Sequence, residues 1–309
     1  MTDQQNYSWA FFGSSHFSLI VLDELEKLGL VPGLIVTVPE KPRGRGQKIE
    51  VSEVRAWAEA RNIPVIAPVS LNETKNPVAY TEAVEAIRAA ARNTTSTNSN
   101  GVWDVFLIAS YGKIVPSNIL DLPKRGTLNI HPSLLPKLRG PSPIESAILT
   151  ENETGVTIMQ VDDQVDHGPI VSQKNVAIPA SDWPPYYRDL ETLLGVEGAR
   201  LFAETLPDWM NGRTLPQEQN HSAVTFTKKF TKEDGRLETD QKTGTSDSVY
   251  ALANLRKIRA FADSRGAFFI MNYNGKDIRV IVTAARLDTN QNGAPELIIE
   301  RVKPEGKKE

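Results

Sequence analysis

The chain has 309 residues, 40% hydrophobic and 24% charged, the proportions of a soluble globular protein long enough for two domains. A net charge of -3 gives no overall nucleic-acid signal, although residues 207–309 are mildly basic, with 17 Lys and Arg against 14 Asp and Glu. The absence of cysteine excludes disulfides, thiolate catalysis and thiolate metal sites. With no apolar run of about eighteen residues and no signal-peptide pattern in MTDQQNYSWA, a cytoplasmic location is expected.

Along the chain, residues 9–12 read as a strand, 13–15 as a turn and 18–29 as a helix, with leucines at 19, 22, 25 and 28 on one face. Strands follow at 34–38, 64–67, 102–109 and 127–131, and helices at 51–61 and 80–92. Strands alternating with helices predict an α/β fold built on a mostly parallel sheet. The β-rich runs 155–161 and 169–178, joined by 162–168, read as a hairpin, and 187–206 as a closing helix. Residues 207–220, rich in Pro, Gly, Asn and Gln, read as a linker. Beyond it, strands at 223–226, 267–273, 277–284 and 296–302 and a helix at 246–262 predict a small β-barrel with one helix. The polar insert 93–101 (NTTSTNSNG) reads as a surface loop, and 39–48 (PEKPRGRGQK) as a basic loop rich in Gly and Pro.

The stretch 129–136 (NIHPSLLP) carries the strongest chemical signal. Residues i and i+2 of a strand share a face, so Asn129 and His131 converge while Leu128 and Ile130 pack into the sheet. Pro132 holds His131 extended and ends the strand. Neither residue is a good nucleophile and no G-x-S-x-G elbow exists, so the pair suits polarising a carbonyl and stabilising an oxyanion. A second cluster, Asp162, Asp163, Asp166 and His167, leaves three readings open: a solvated acidic turn, a metal site completed by a distant ligand such as His131, or one Asp turned inward to orient His131. The spacing matches neither an EF-hand nor H-E-x-x-H, which disfavours a metal. Asp166 is the best inward candidate, since Gly168 beside it permits an unusual turn. Gly13 serves a tight turn; 11–18 contains no dinucleotide-binding G-x-G-x-x-G.

Asn129-x-His131, the run Ser133, Leu134, Leu135, Pro136 followed by Arg139 and Gly140, and an Asp about 35 residues after His131 together resemble the 10-formyltetrahydrofolate-dependent formyltransferases. The run 155–160 (GVTIMQ) and Ser110, Tyr111, Gly112 strengthen the likeness, which spans most of residues 8–206. Loop 39–48 is similar to the basic loop of the branch that acts on methionyl-tRNA, and 226–230 (FTKKF) and 258–261 (IRAF) look like that branch's C-terminal domain. The likeness implies a Rossmann-like catalytic domain over 1–206, a linker at 207–220 and an OB-like, tRNA-binding barrel over 221–309, shorter than in most of the family.

The resemblance further implies the chemistry. The formyl donor is 10-formyltetrahydrofolate, the acceptor is the α-amino group of initiator Met-tRNA, and no metal takes part. Asn129, His131 and Asp166 are the catalytic residues. Ser110, Tyr111, Gly112 and Ile114, with Ser133, Leu134, Leu135, Pro136 and Asp163, hold the folate. Lys41, Arg43, Arg45 and Lys48 contact the tRNA, and the enzyme acts as a monomer. Two departures stand out. The family's G-x-D-T-G reads Gln164-Val-Asp-His-Gly168 here, with His167 in place of Thr, and the first turn carries His16 where an acidic residue is common. The alternatives are a formyltransferase for a sugar-nucleotide amine, a formyltetrahydrofolate hydrolase, an inactive tRNA- or folate-binding module, and a metal-dependent hydrolase.

Overall fold

The computed structural model describes residues 7–40, 42–43, 48–49, 51–92, 101–238 and 248–305, with the backbone alone at 42, 43, 48, 49 and 248. In chain order the elements are β1 (Trp9–Phe12), α1 (His16–Lys27), β2 (Leu34–Val36), the two-residue strands β3 (Pro42–Arg43) and β4 (Lys48–Ile49), α2 (Glu53–Glu59), β5 (Val65–Ile66), α3 (Pro77–Arg92), β6 (Val105–Ile108), α4 (Ser117–Leu120) and β7 (Thr127–His131). There follow α5 (Pro143–Thr150), β8 (Thr154–Gln160), β9 (Ile170–Val176), α6 (Tyr187–Met210), α7 (Ser248–Ala260), β10 (Ala267–Tyr273), β11 (Lys276–Thr289) and β12 (Pro295–Pro304). The chain forms two compact units, Met1–Arg139, Gly155–Val176 and Thr192–Thr225 in one, Gly140–Thr154, Ala177–Glu191 and Phe226–Glu309 in the other.

The first unit is the expected mostly parallel sheet, seven strands in the order β5-β2-β1-β6-β7-β8-β9. β1, β2, β5, β6 and β7 run parallel, and β8 pairs antiparallel with β7, setting His131 opposite Thr157. On one face Phe12, Leu34, Val36 and Phe106 pack with Ile87 of α3 and Ile119 of α4. On the other, α6 presses close to β7: a Cβ at Gly198 would stand 2.5 Å from Ile130 Cγ2. Only a residue without a side chain lets the helix lie so near the strand that carries His131.

Several elements start or stop away from the predicted positions, each for an identifiable physical reason. Helix α1 begins at His16, two residues early, because Ser15 and Ser18 cap one another reciprocally. Helix α3 begins at Pro77, where Asn76 accepts the Ala79 N–H at 3.1 Å and proline's missing N–H costs nothing. Helix α6 continues through Pro207 to Met210, its end held by Trp209, whose indole N–H donates to the Arg125 carbonyl at 3.1 Å. Residues 223–226 are not a strand. A 3-10 turn occupies His221–Ala223, and Thr225 instead accepts the Leu138 N–H at 2.8 Å through its hydroxyl and the Arg139 N–H at 2.9 Å through its carbonyl.

The second unit holds a three-stranded antiparallel sheet, β10-β11-β12, backed by α7. Its core of Leu237, Ala251, Leu255, Ile258, Ala267, Val282, Ala285 and Leu297 is that of a small barrel-like domain. Among the described residues no helix is long and apolar enough to cross a membrane.

Candidate active site

His131 ends β7 with 4% exposure, its Nε2 3.1 Å from the Leu138 carbonyl. A carbonyl only accepts, so Nε2 carries the proton and Nδ1 is left for chemistry. Nδ1 lies 3.6 Å from Asp166 Oδ1, an ion-pair distance that a proton on Nδ1 would make attractive. Asn129, two residues back, is half-buried, and its amide has no side-chain hydrogen-bond partner among the described residues. The strand therefore delivers an uncommitted amide and one imidazole nitrogen beside a carboxylate.

Asp166 reaches His131 from the 161–169 connection between β8 and β9. Its φ is +50°, a left-handed conformation that Asp tolerates better than most residues but that still needs outside support. Gly168 supplies the room: a Cβ there would come within 2.0 Å of the Gln160 carbonyl oxygen. Support comes from Gln219, whose Nε2 donates to the Asp166 carbonyl at 3.0 Å and to the Gly168 carbonyl at 2.7 Å. The Gln219 Oε1 accepts from Arg139 Nε at 3.1 Å and from a terminal guanidinium nitrogen at 2.6 Å. The same guanidinium nitrogen donates to His221 Nδ1 at 3.0 Å, and the His221 ring stacks on His167 at 4.5 Å between centroids. The Asp162–His167 cluster thus divides. Asp162 pairs with His167 at 2.7 Å, Asp163 is exposed and Asp166 turns to His131. Among the described residues no group of three or more His, Asp or Glu is arranged to hold a metal ion.

The residues expected along the folate are mostly wall rather than free side chains. Ser110 and Gly112 take positive φ (52° and 76°) in the loop after β6, next to β7, and the Ser14 hydroxyl donates to the Tyr111 carbonyl at 2.8 Å. Tyr111 is buried, which pushes its phenol well above the usual range, so it stays neutral. Ile114 is 81% exposed. The Ser133 hydroxyl is spent on the Lys137 carbonyl at 2.7 Å, and Leu135 is buried, its N–H donating to Thr157 Oγ1 at 3.2 Å. Leu134 and Pro136 alternate with them and are half-buried. What the 133–136 run presents is chiefly backbone fixed by Thr157 and by Gln173, whose amide donates to the Leu135 carbonyl at 2.9 Å. Of the positions expected to meet tRNA, Lys41 and Arg45 lie outside the described residues, as do the side chains of Arg43 and Lys48.

Gln219, His221, Thr157 and Gln173 are missed by the sequence reading. Gln219 sits in a stretch whose Pro, Gly, Asn and Gln read as linker; nothing local in the sequence distinguishes its amide from its neighbours. Arg139 was visible in the motif, but not its buried position.

An amide and an imidazole on one face of a strand end, with a carboxylate 3.6 Å from the imidazole, are groups suited to acyl transfer without a covalent nucleophile. Residues 9–188 match the family model for formyl transferases, and the chain belongs to that family. It is 33% identical over 96% of its length to a methionyl-tRNA formyltransferase of Paraburkholderia phytofirmans, covering 84% of that protein. It is 35% identical over 94% of its length to one of Chloroflexus aggregans, again covering 84%. A 4-N formyltransferase from Francisella tularensis, 15% identical, shares the fold with a TM-score of 0.59 over 88% of this chain and 96% of that one.

Proposed function

We propose that this enzyme transfers the formyl group of 10-formyltetrahydrofolate to the α-amino group of methionine on initiator tRNA. The observation that carries the reading is the His131–Asp166 pair at 3.6 Å, with Asn129 two residues back on the same strand, in a chain a third identical along nearly its whole length to methionyl-tRNA formyltransferases. A tRNA acceptor places the proposed enzyme in the cytoplasm, and we take it to act as a monomer.

The amine nitrogen adds to the formyl carbon, giving a tetrahedral oxyanion. Collapse breaks the bond to the folate N10, which leaves as a secondary amine. Asn129 donates its amide to the formyl oxygen. With Nε2 held by the Leu138 carbonyl, His131 faces the oxyanion through Nδ1, protonated beside Asp166. Asp166 accepts the proton that the attacking nitrogen must lose, directly or through water. The proton then passes to N10. A donor aimed at a developing oxyanion contributes about 10²–10³ in rate, and general-base help about 10²–10⁴. The fixed 133–136 backbone and the Ser110–Gly112 turn edge the pterin.

The test is formyl transfer from 10-formyltetrahydrofolate to four acceptors: charged initiator tRNA, charged elongator Met-tRNA, a sugar-nucleotide amine and water. Formylmethionyl-tRNA formed preferentially on the initiator is expected. Preferred turnover of the sugar amine, or formate released at the same rate without an amine, would overturn the reading.

A further inference from the structure

Gln219 lies outside the segment matched by the family and in a stretch that reads as linker, yet it is 4% exposed and all four hydrogen-bonding positions of its amide are used. The orientation of that amide is fixed by its neighbours. Arg139 has only donors, so the oxygen of Gln219 must face it, and the NH₂ must then face the carbonyls of Asp166 and Gly168. Arg139 is itself 3% exposed, and the buried positive charge polarises the amide, strengthening the two bonds on its far side. Those bonds grip the backbone at the residue with φ +50° and at the glycine two positions on. The chain on either side of Gln219 is anchored as well. Gln217 exchanges backbone hydrogen bonds with Ile170 at 2.8 Å in each direction, and Thr225 bonds Leu138 and Arg139.

We infer that Gln219, locked by Arg139, is a positioning residue that holds the Asp166 carboxylate toward His131. All four of its hydrogen bonds go to Arg139 and to the backbone of Asp166 and Gly168, none to His131, so it acts through the backbone of Asp166. The grip also closes a ring. Arg139 follows Leu138, whose carbonyl orients His131 Nε2, so the clamp sets both partners of the pair from one buried guanidinium. His221 extends it on the outer side, its Nδ1 accepting from Arg139.

The inference rests on the formyl-transfer reading, and its test separates the two. Gln219→Glu keeps the shape and the acceptor for Arg139 but removes both donors, setting a carboxylate oxygen against two carbonyls. Its kcat on charged initiator tRNA should fall about 10- to 100-fold, the cost of a carboxylate displaced by an ångström or so, with the KM for the formyl donor within about twofold of wild type. A double-mutant cycle with Asp166→Asn gives the readout that a merely structural role would not move. On the Asp166→Asn background, Gln219→Glu should cost almost nothing more in kcat. Amide hydrogen exchange across 161–168 should quicken in Gln219→Glu independently of any activity. If Gln219→Glu does not fold, Gln219→Met, which adds no charge, enters the same cycle. Additive losses in the cycle, or unchanged kcat with unchanged exchange, overturn the inference while leaving the transferase reading intact. A wild type inactive on every acceptor overturns the transferase reading, and exchange alone then decides whether Gln219 clamps the loop.

Discussion

At the scale of single residues, the candidate site separates groups proposed to do chemistry from groups that aim them. His131 can offer Nδ1 because Nε2 is occupied, and Asp166 stands at 3.6 Å from it in a strained conformation. Replacing His131 with Ala, or Asp166 with Asn, should therefore lower kcat by about 10²–10⁴. Equilibrium binding of a non-reactive folate analogue should stay within a few-fold, because the walls at 110–112 and 133–136 are held by Ser14, Thr157 and Gln173. Single-turnover transfer with a parallel fluorescence titration checks this; wild-type rates in either variant would remove the residue from the mechanism. Asn129 and His131 were legible because two-residue periodicity is local. Asp166 was legible only as one of several carboxylates until Gly168 singled it out. Gln219 was illegible because its role depends on a guanidinium 80 positions away in the chain, which no local pattern encodes.

At the scale of elements, apolar periodicity located most strands and helices, and capping set their true ends. The reciprocal Ser15–Ser18 cap and the Asn76 cap are sequence signals; the extension of α6 through Pro207 is tertiary, fixed by Trp209 on the Arg125 carbonyl. Helix α5, eight residues long, is too short for its periodicity to stand out, and it brings an unusual carboxyl with it. Glu145 in its first turn is largely buried, and burial raises its pKa, outweighing a backbone hydrogen bond and Arg265, whose terminal nitrogen is 3.9 Å away. A carboxyl whose folded pKa lies above its unfolded value binds its proton more tightly when folded. Stability is then fully present below the unfolded value of about 4.3 and falls as pH rises through the folded one. Glu145→Gln, which keeps the shape without the charge, should melt with wild type in acid and above it at neutral pH. Paired thermal melts from pH 4 to pH 8 check this; a neutral-pH loss would mean that the pairing with Arg265 outweighs desolvation.

At the scale of the whole molecule, the fold class was legible because βα alternation and a later change to β-rich runs are patterns of order, insensitive to the exact ends of elements. The proposed chemistry and the proposed choice of acceptor are also separated along the chain. The candidate reacting groups lie within 129–166, whereas the sequence of the basic loop 39–48 carries two lysines and two arginines with two glycines, at Lys41, Arg43, Gly44, Arg45, Gly46 and Lys48. A net charge of -3 leaves little general attraction to tRNA, so local positive charge must supply it. If Arg45 meets the acceptor stem, Arg45→Ala should lower kcat/KM for charged initiator tRNA about tenfold, the worth of one lost nucleic-acid contact of about 1.4 kcal/mol. The slope of log kcat/KM against log salt should flatten by about one where the lost contact is a phosphate. Transfer to a small methionine ester should stay at the wild-type rate, because that acceptor offers no phosphates, and the KM for the folate donor should not move. Equal loss on the ester would assign Arg45 to the chemistry or to folding, and no loss on the tRNA would leave acceptor choice to the second unit alone. The same assay at two salt concentrations distinguishes the three outcomes, since only a loop that reads phosphates ties the size of the mutational loss to ionic strength.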